Sequence, residues 1–234
     1  MRPVMQVEIW SDVVCPWCYI GKRRFERAAA ELADEVDLQV TYRPYQLDPT
    51  AKPGVAMPVF QAYSRKFGGP ERAAEILERL TGIAASEGLE FRMDRAQRAN
   101  TLLAHRLLWL AQATGHQPAL KERLLQAYFH DGLDVGDPEV LARCAEDVGM
   151  PPDRVLAFLQ SDDGEAEVRD EMRRAVDAEI TGVPAYVLDG LWTIPGAQDP
   201  ETFVTVIRRM LERRTRSEAF QRAQANNSQQ GAAG

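Results

Sequence analysis

The chain has 234 residues, 45% of them hydrophobic and 27% charged, with a formal net charge of −7. That length and balance suit a globular protein that buries a sizeable core, and the negative charge argues against nucleic acid as a partner. No stretch approaches the roughly 18 uncharged apolar residues of a membrane span, and no apolar export segment precedes the first strand, so a cytoplasmic protein is expected.

Met5-Gln6-Val7-Glu8-Ile9-Trp10 alternates apolar and polar and predicts a strand with one covered face. A short turn and Cys15-Pro16-Trp17-Cys18 follow, then Phe25, Ala28, Ala29, Leu32 and Val36 at helical spacing. The basic run Lys22-Arg23-Arg24 reads as a solvated face of this helix. Leu38 to Tyr45 alternates again and predicts a second strand, parallel to the first across a right-handed crossover. From about Pro58 to Glu179 the period is helical. Punctuation cuts out helices over Val59–Phe67, Glu71–Glu87 and Gln97–Thr114, a stripe of Leu120, Leu124 and Tyr128, helices opened by Asp137-Pro138 and by Pro151-Pro152-Asp153, and a last one over Gly164–Glu179.

Strand patterning returns at Ala185-Tyr186-Val187-Leu188 and Leu191-Trp192-Thr193-Ile194, with Asp189-Gly190 between them as a tight hairpin. A helix from about Pro200 carries Phe203, Val206, Ile207 and Met210 on one side, and the segment from Ser217 lacks apolar pattern and is expected to be disordered. The order βαβ, helical block, ββα predicts an α/β protein. Residues 1–57 and 180–216 form a discontinuous thioredoxin-like domain, 58–179 a large all-helical insertion, and 217–234 a tail.

The pair of cysteines carries the chemistry. A thiol attacks as thiolate, and the free N–H groups and dipole of a helix N-terminus favour an anion. With Pro16 at the first helical position, Cys15 falls at the cap and Cys18 one turn inside on the same face. Cysteines so placed have pKa values lowered to roughly 3.5–7.5, which makes Cys15 the expected nucleophile and Cys18 the resolving thiol of a redox-active Cys15–Cys18 disulfide. Asp12 opposes ionisation of Cys15 if its carboxylate comes close. The competing readings are half of a zinc site and a static disulfide. Zinc needs two further ligands, for which only Cys144, His105, His116 and His130 remain. Cys144, alone in a helical stretch, reads as a small buried hydrophobe.

The run Ser11-Asp12-Val13-Val14-Cys15-Pro16-Trp17-Cys18-Tyr19-Ile20-Gly21-Lys22, with Thr181-Gly182-Val183-Pro184 and Gly196-Ala197-Gln198 downstream, resembles the DsbA-like thioredoxin-fold oxidoreductases, and within them the FrnE-like dithiol–disulfide isomerases. The resemblance covers about residues 5–212. It implies a cis Pro184 facing the cysteines and keeping metals from them, Pro16 and Trp17 tuning the dithiol, and Val183 pairing with an extended substrate. Asn100-Thr101-Leu102-Leu103-Ala104-His105 also resembles this branch and its relatives, the kappa-class glutathione transferases and 2-hydroxychromene-2-carboxylate isomerases. It offers Asn100 as a cleft residue and His105 as a substrate-binding or, more simply, a hydrogen-bonded structural histidine. Those relatives carry serine where this chain has Cys15. Thiol–disulfide exchange on protein or small-molecule disulfides is therefore the leading expectation, with no bound cofactor, glutathione as a candidate co-substrate, and a homodimer as an option because relatives often dimerise. A glutathione-dependent transferase or isomerase and a chaperone-like binder are the rivals.

Overall fold

Alternation decides the first strand: Met5, Val7 and Ile9 are buried while Val4 and Gln6 face out, so Val4–Ser11 forms β1. The computed structural model describes residues 2–55 and 57–231, with side chains as far as Ser217. Helix α1 spans Pro16–Glu31 and strand β2 Asp37–Pro44, which pairs with β1 in parallel. Strand β3, Ala185–Leu188, returns antiparallel to β1, and β4, Trp192–Pro195, antiparallel to β3. The sheet order is therefore β2-β1-β3-β4.

The hairpin turns at Asp189 and Gly190, whose φ values of 49° and 68° are the left-handed pair that Asp-Gly tolerates. Leu188 stands opposite Trp192, so the loop holds three residues rather than the expected two. Leu191, expected in the strand, lies outside it and is 80% exposed.

Between β2 and β3 lie α2 (Val59–Phe67), α3 (Pro70–Ser86), α4 (Leu102–Ala113), α5 (Gln117–Gln126) running into a π-helical turn at Ala127–Asp131, α6 (Pro138–Glu146), α7 (Pro152–Gln160) and α8 (Glu165–Asp177). Helix α4 starts later than its periodicity predicts. The Val59 N–H donates to the Ala96 carbonyl at 2.9 Å and the Arg98 N–H to that of Met57 at 2.7 Å, which claims the preceding segment for a non-helical pairing. Asn100 Oδ1 then accepts the Leu102 N–H at 3.0 Å and starts the helix.

Helix α1 is the hinge of the packing. Its Phe25 and Ala28, with Leu32 at its C-cap, meet Met5, Val7, Tyr186 and Phe203 above the sheet, while Tyr19 and Ile20 join the insertion's core with Leu107, Leu124 and Phe129. The motif at its start is thereby wedged between sheet and insertion. Helix α9 runs from Pro200 to Gly231, so backbone helix replaces the expected disorder from 217 onward, and residues 232–234 lie outside the described residues. The stretch lacks an apolar stripe but is rich in Ala and Gln, which favour helix by propensity alone.

Candidate active site

Cys15 is the N-cap of α1 in extended conformation (φ −87°, ψ 115°), with Pro16 at the first helical position. Its Sγ accepts the Cys18 backbone N–H at 3.3 Å, one of the donors a helix start leaves free. Both cysteines are free thiols and both are buried, while Trp17 between them is partly exposed and forms the rim. From across the sheet comes the Val183–Pro184 bond, which is cis, with the Val183 carbonyl 3.7 Å from Cys15 Sγ. Close approach here depends on Gly21. A Cβ at that position would lie 2.6 Å from the Tyr186 hydroxyl and 3.0 Å from Pro184 Cγ.

Asn100 and His105 stand one layer behind. Asp12 is fully buried just before the motif, and its carboxylate accepts the Val13 N–H at 2.8 Å and the Leu47 N–H at 2.8 Å. His105 Nε2 lies 3.1 Å from Asp12 Oδ1 and 3.1 Å from the Tyr45 carbonyl, two acceptors that require a proton on that nitrogen. His105 therefore props the turn carrying the cysteines. Asn100 accepts from Gln46 Nε2 at 3.1 Å and donates to the Ala51 carbonyl at 2.7 Å, which commits its amide to the 46–51 loop.

The electrostatics treat the two sulfurs differently from what the cap position alone suggests. Burial opposes charge on either sulfur and, with the Cys18 side chain, pushes the Cys15 thiol well up. Burial also opposes ionisation of Cys18. There, however, the Cys15 thiol's hydrogen bond, the Lys121 charge, the Asp12 backbone and the Ser11 side chain prevail and bring the thiol below its ordinary value. Of the two sulfurs, these contacts favour Cys18 rather than the cap residue as the site of negative charge. Sequence reasoning credited the helix terminus and missed the burial and the lysine. Asp12 remains ionised despite burial, because His105 and the Leu47 amide hold its carboxyl below the usual range.

The basic run on α1 is not a solvated face. Lys22 is buried and pairs with Glu26 and Glu122; Arg23 reaches the same Glu122, and Arg24 pairs with Glu87. Helix α5 and the C-cap of α3 cover that side of α1 and supply Glu122 and Glu87. Cys144 is fully buried in the insertion core. A cavity of about 430 Å³ opens beside Pro16 and Val14, bordered by Tyr63, Arg65, Lys66 and Arg98. A second, of about 530 Å³, lies along Gly182, Val183 and Pro184. Tyr63, whose hydroxyl is pushed up to about 12 by burial and by Cys15, brings α2 to the edge of the thiol pair.

Residues 6–208 match the model of the DSBA-like thioredoxin domain. The chain belongs to this family. Among solved structures it is similar to a probable DsbA oxidoreductase from Streptomyces coelicolor, at 37% identity and a TM-score of 0.81 over 88% of this chain and 89% of that one. Among curated proteins it is 26% identical to the uncharacterized YwbO of Bacillus subtilis, over 87% of this chain and 96% of that protein. It shares its fold with the cytosolic disulfide reductase DsbM of Pseudomonas aeruginosa, solved with GSH, at 18% identity and a TM-score of 0.60 over 88% of this chain and 99% of that one. As a DsbA-like protein it has the mixed α/β fold with a helical insertion that its sequence predicts. Among the described residues no helix is long and apolar enough to cross a membrane.

Proposed function

We propose that the protein is a cytoplasmic thiol–disulfide oxidoreductase working through Cys15 and Cys18. The observation that carries this reading is the pair of free, buried cysteines at the start of α1, with Cys15 Sγ accepting the Cys18 N–H and lying against the Val183 carbonyl. Cys15 passes its proton to the Cys18 thiolate and attacks a substrate disulfide. A Cys15–substrate disulfide forms and one substrate thiolate leaves. Cys18, deprotonated again, attacks Cys15 Sγ; the Cys15–Cys18 bond forms, and the second substrate sulfur departs with the remaining electron pair. Every step runs backwards when the enzyme starts oxidised.

The substrate backbone lies along Val183 and Pro184, and Trp17 with the insertion shapes the mouth. Arg65 and Lys66, both exposed beside Pro16, favour a carboxylate-bearing disulfide, and glutathione fits as co-substrate. Cys15→Ser should abolish turnover of insulin and of glutathione disulfide, whereas Cys18→Ser should accumulate a covalent adduct at Cys15 visible by intact mass. A Cys15→Ser protein that still turned over either disulfide would falsify the assignment.

A further inference from the structure

Lys121 of α5 is 1% exposed, and among the described residues no protein atom accepts a hydrogen bond from its Nζ. Burying a lysine without such a partner is costly. The Tyr42 ring, 5.6 Å from Nζ, returns only part of that cost. Nothing in the packing of α5 requires an amine there, since the neighbouring buried positions Leu120, Leu124 and Leu125 are filled by leucine.

The surroundings point to a role at the thiol pair. Lys121 borders a small cavity of about 10 Å³, the size of one water, together with Ser11, His105, Gln117, Arg43 and Glu171. Ser11, the last residue of β1, is itself buried, lines the same cavity, and its side chain favours the anion at Cys18. On the far side, Glu171 of α8 holds Arg43 at 2.8 Å and is only half-buried. A polar line thus runs from Cys18 through Ser11 and the small cavity to Lys121, and outward to Glu171. The charged and titratable groups facing it are Cys15, Cys18 and Lys22 from α1, Asp12 from the preceding turn, Tyr42 and Arg43 from β2, His105 from α4 and Glu171 from α8.

We propose that Lys121 stores the proton of Cys18 during resolution of the mixed disulfide. This rests on the dithiol reading above and adds to it. When Cys18 takes the Cys15 proton and becomes a thiol in the mixed disulfide, Lys121 loses its counter-ion, releases its proton toward Glu171 and stands as a neutral amine. The S–H proton passes by way of Ser11 and the cavity to Lys121 Nζ, which becomes an ammonium. The Cys18 thiolate attacks Cys15 Sγ, the Cys15–Cys18 bond forms, and the bond to the substrate breaks with its electron pair on the substrate sulfur. With the Cys18 charge consumed, Lys121 loses its counter-ion and gives up the proton toward Glu171. In the reverse reaction the ammonium again faces the Cys18 thiolate. Burial disfavours charge on Lys121 while Cys18 and Asp12 favour it, so its proton affinity follows the redox state of the pair.

The test uses the full chain with Lys121→Met, a near-isosteric change that removes the amine, and with Ser11→Ala. Thiolate absorbance near 240 nm is titrated in the reduced proteins. Decay of a preformed Cys15–glutathione mixed disulfide is followed from pH 5 to 9 in single turnover. In Lys121→Met the thiolate titration should move up by about one unit or more. Resolution at pH 7 should slow at least about tenfold in both variants and become steeper with pH. Thermal stability of Lys121→Met should equal or exceed that of the parent. Unchanged titration and unchanged resolution in Lys121→Met overturn the proposal. Should that variant not fold, a Ser11→Ala protein that resolves at the parent rate overturns it. If the parent forms no mixed disulfide at all, the dithiol reading fails, while the thiolate titration still reports on Lys121.

Discussion

Replacing Asp12 by asparagine separates the two things its carboxylate does. Oδ1 accepts the Val13 N–H and faces His105, and Oδ2 accepts the Leu47 N–H, all without access to water. An asparagine keeps one oxygen and turns the other into a donor. Whichever way it flips, at least one buried N–H then faces an N–H. Leaving a buried donor unsatisfied costs about 1–3 kcal/mol, and losing the charge-assisted bond to His105 adds about 1 kcal/mol. A total near 2–4 kcal/mol corresponds to a fall in Tm of roughly 5–15 °C in a chain of this size. The second effect has the opposite value for function. The Asp12 charge raises the Cys15 thiol, so its removal makes the dithiol more acidic. Asp12→Asn is therefore expected to melt lower, by circular dichroism, and to ionise at lower pH, by thiolate absorbance. The acid limb changes too: the Asp12 carboxyl is held below its unfolded value, so its stabilisation is present above about pH 4 and lost as pH falls. That part of the acid dependence should be missing from the variant. A variant with parental Tm, or with its thiolate titration moved upward, refutes the role given to Asp12.

Gly21→Ala should destabilise by about 1–3 kcal/mol despite a gain in helix propensity of about 1 kcal/mol, because the new methyl meets Tyr186, Pro184 and Ala197 at once; a melting point at or above the parent's sinks this. The same variant should lose disulfide turnover as the Val183–Pro184 segment is displaced. Glu122→Gln leaves buried Lys22 with Glu26 alone and weakens the hold of Arg23 and Tyr19, for an expected loss of about 1–3 kcal/mol by urea denaturation at pH 7. Since Lys22 and Arg23 hold the Glu122 carboxyl low, the difference from the parent should begin to shrink as pH falls below the ordinary carboxylate range, and a gap that does not narrow at all in acid counts against it.

What the sequence made legible was local. The cap at Cys15, the proline at the first helical position, the Asp-Gly hairpin and the apolar stripes of α2 and α9 all follow from residues a few places apart. What it hid depends on elements far along the chain. Helix α4 begins at Leu102 because residues 57–59 pair with 96–98, which no local pattern announces. The Lys22-Arg23-Arg24 run reads as surface until Glu87 and Glu122 arrive from the insertion. Lys121 had a signal that the composition of its neighbourhood masked. Gln117, Leu120, Lys121, Leu124, Leu125 and Tyr128 fall at helical spacing on one face, so the lysine sits in the apolar stripe rather than beside it. A charged residue inside a buried stripe is the pattern to look for.

The insertion does more than cover a sheet. The discontinuous core supplies both sulfurs, the cap geometry, and Val183 with Pro184. The groups that bear on where charge rests come in good part from the helical block: His105 on α4 holds Asp12, and Lys121 on α5 favours the anion at Cys18. A helix N-terminus offers a buried sulfur about half a unit of positive charge, while burial of a thiol works against any anion at all. Neither distinguishes Cys15 from Cys18, which lie one turn apart in the same cleft. The distinction comes from contacts that weigh more on one sulfur than on the other: the Lys121 charge, felt by both, and the Ser11 side chain favour the anion at Cys18. It follows that substitutions on the buried face of α5, distant in sequence from the motif, should change dithiol acidity more than charge changes on the exposed face of α1 that carries the motif.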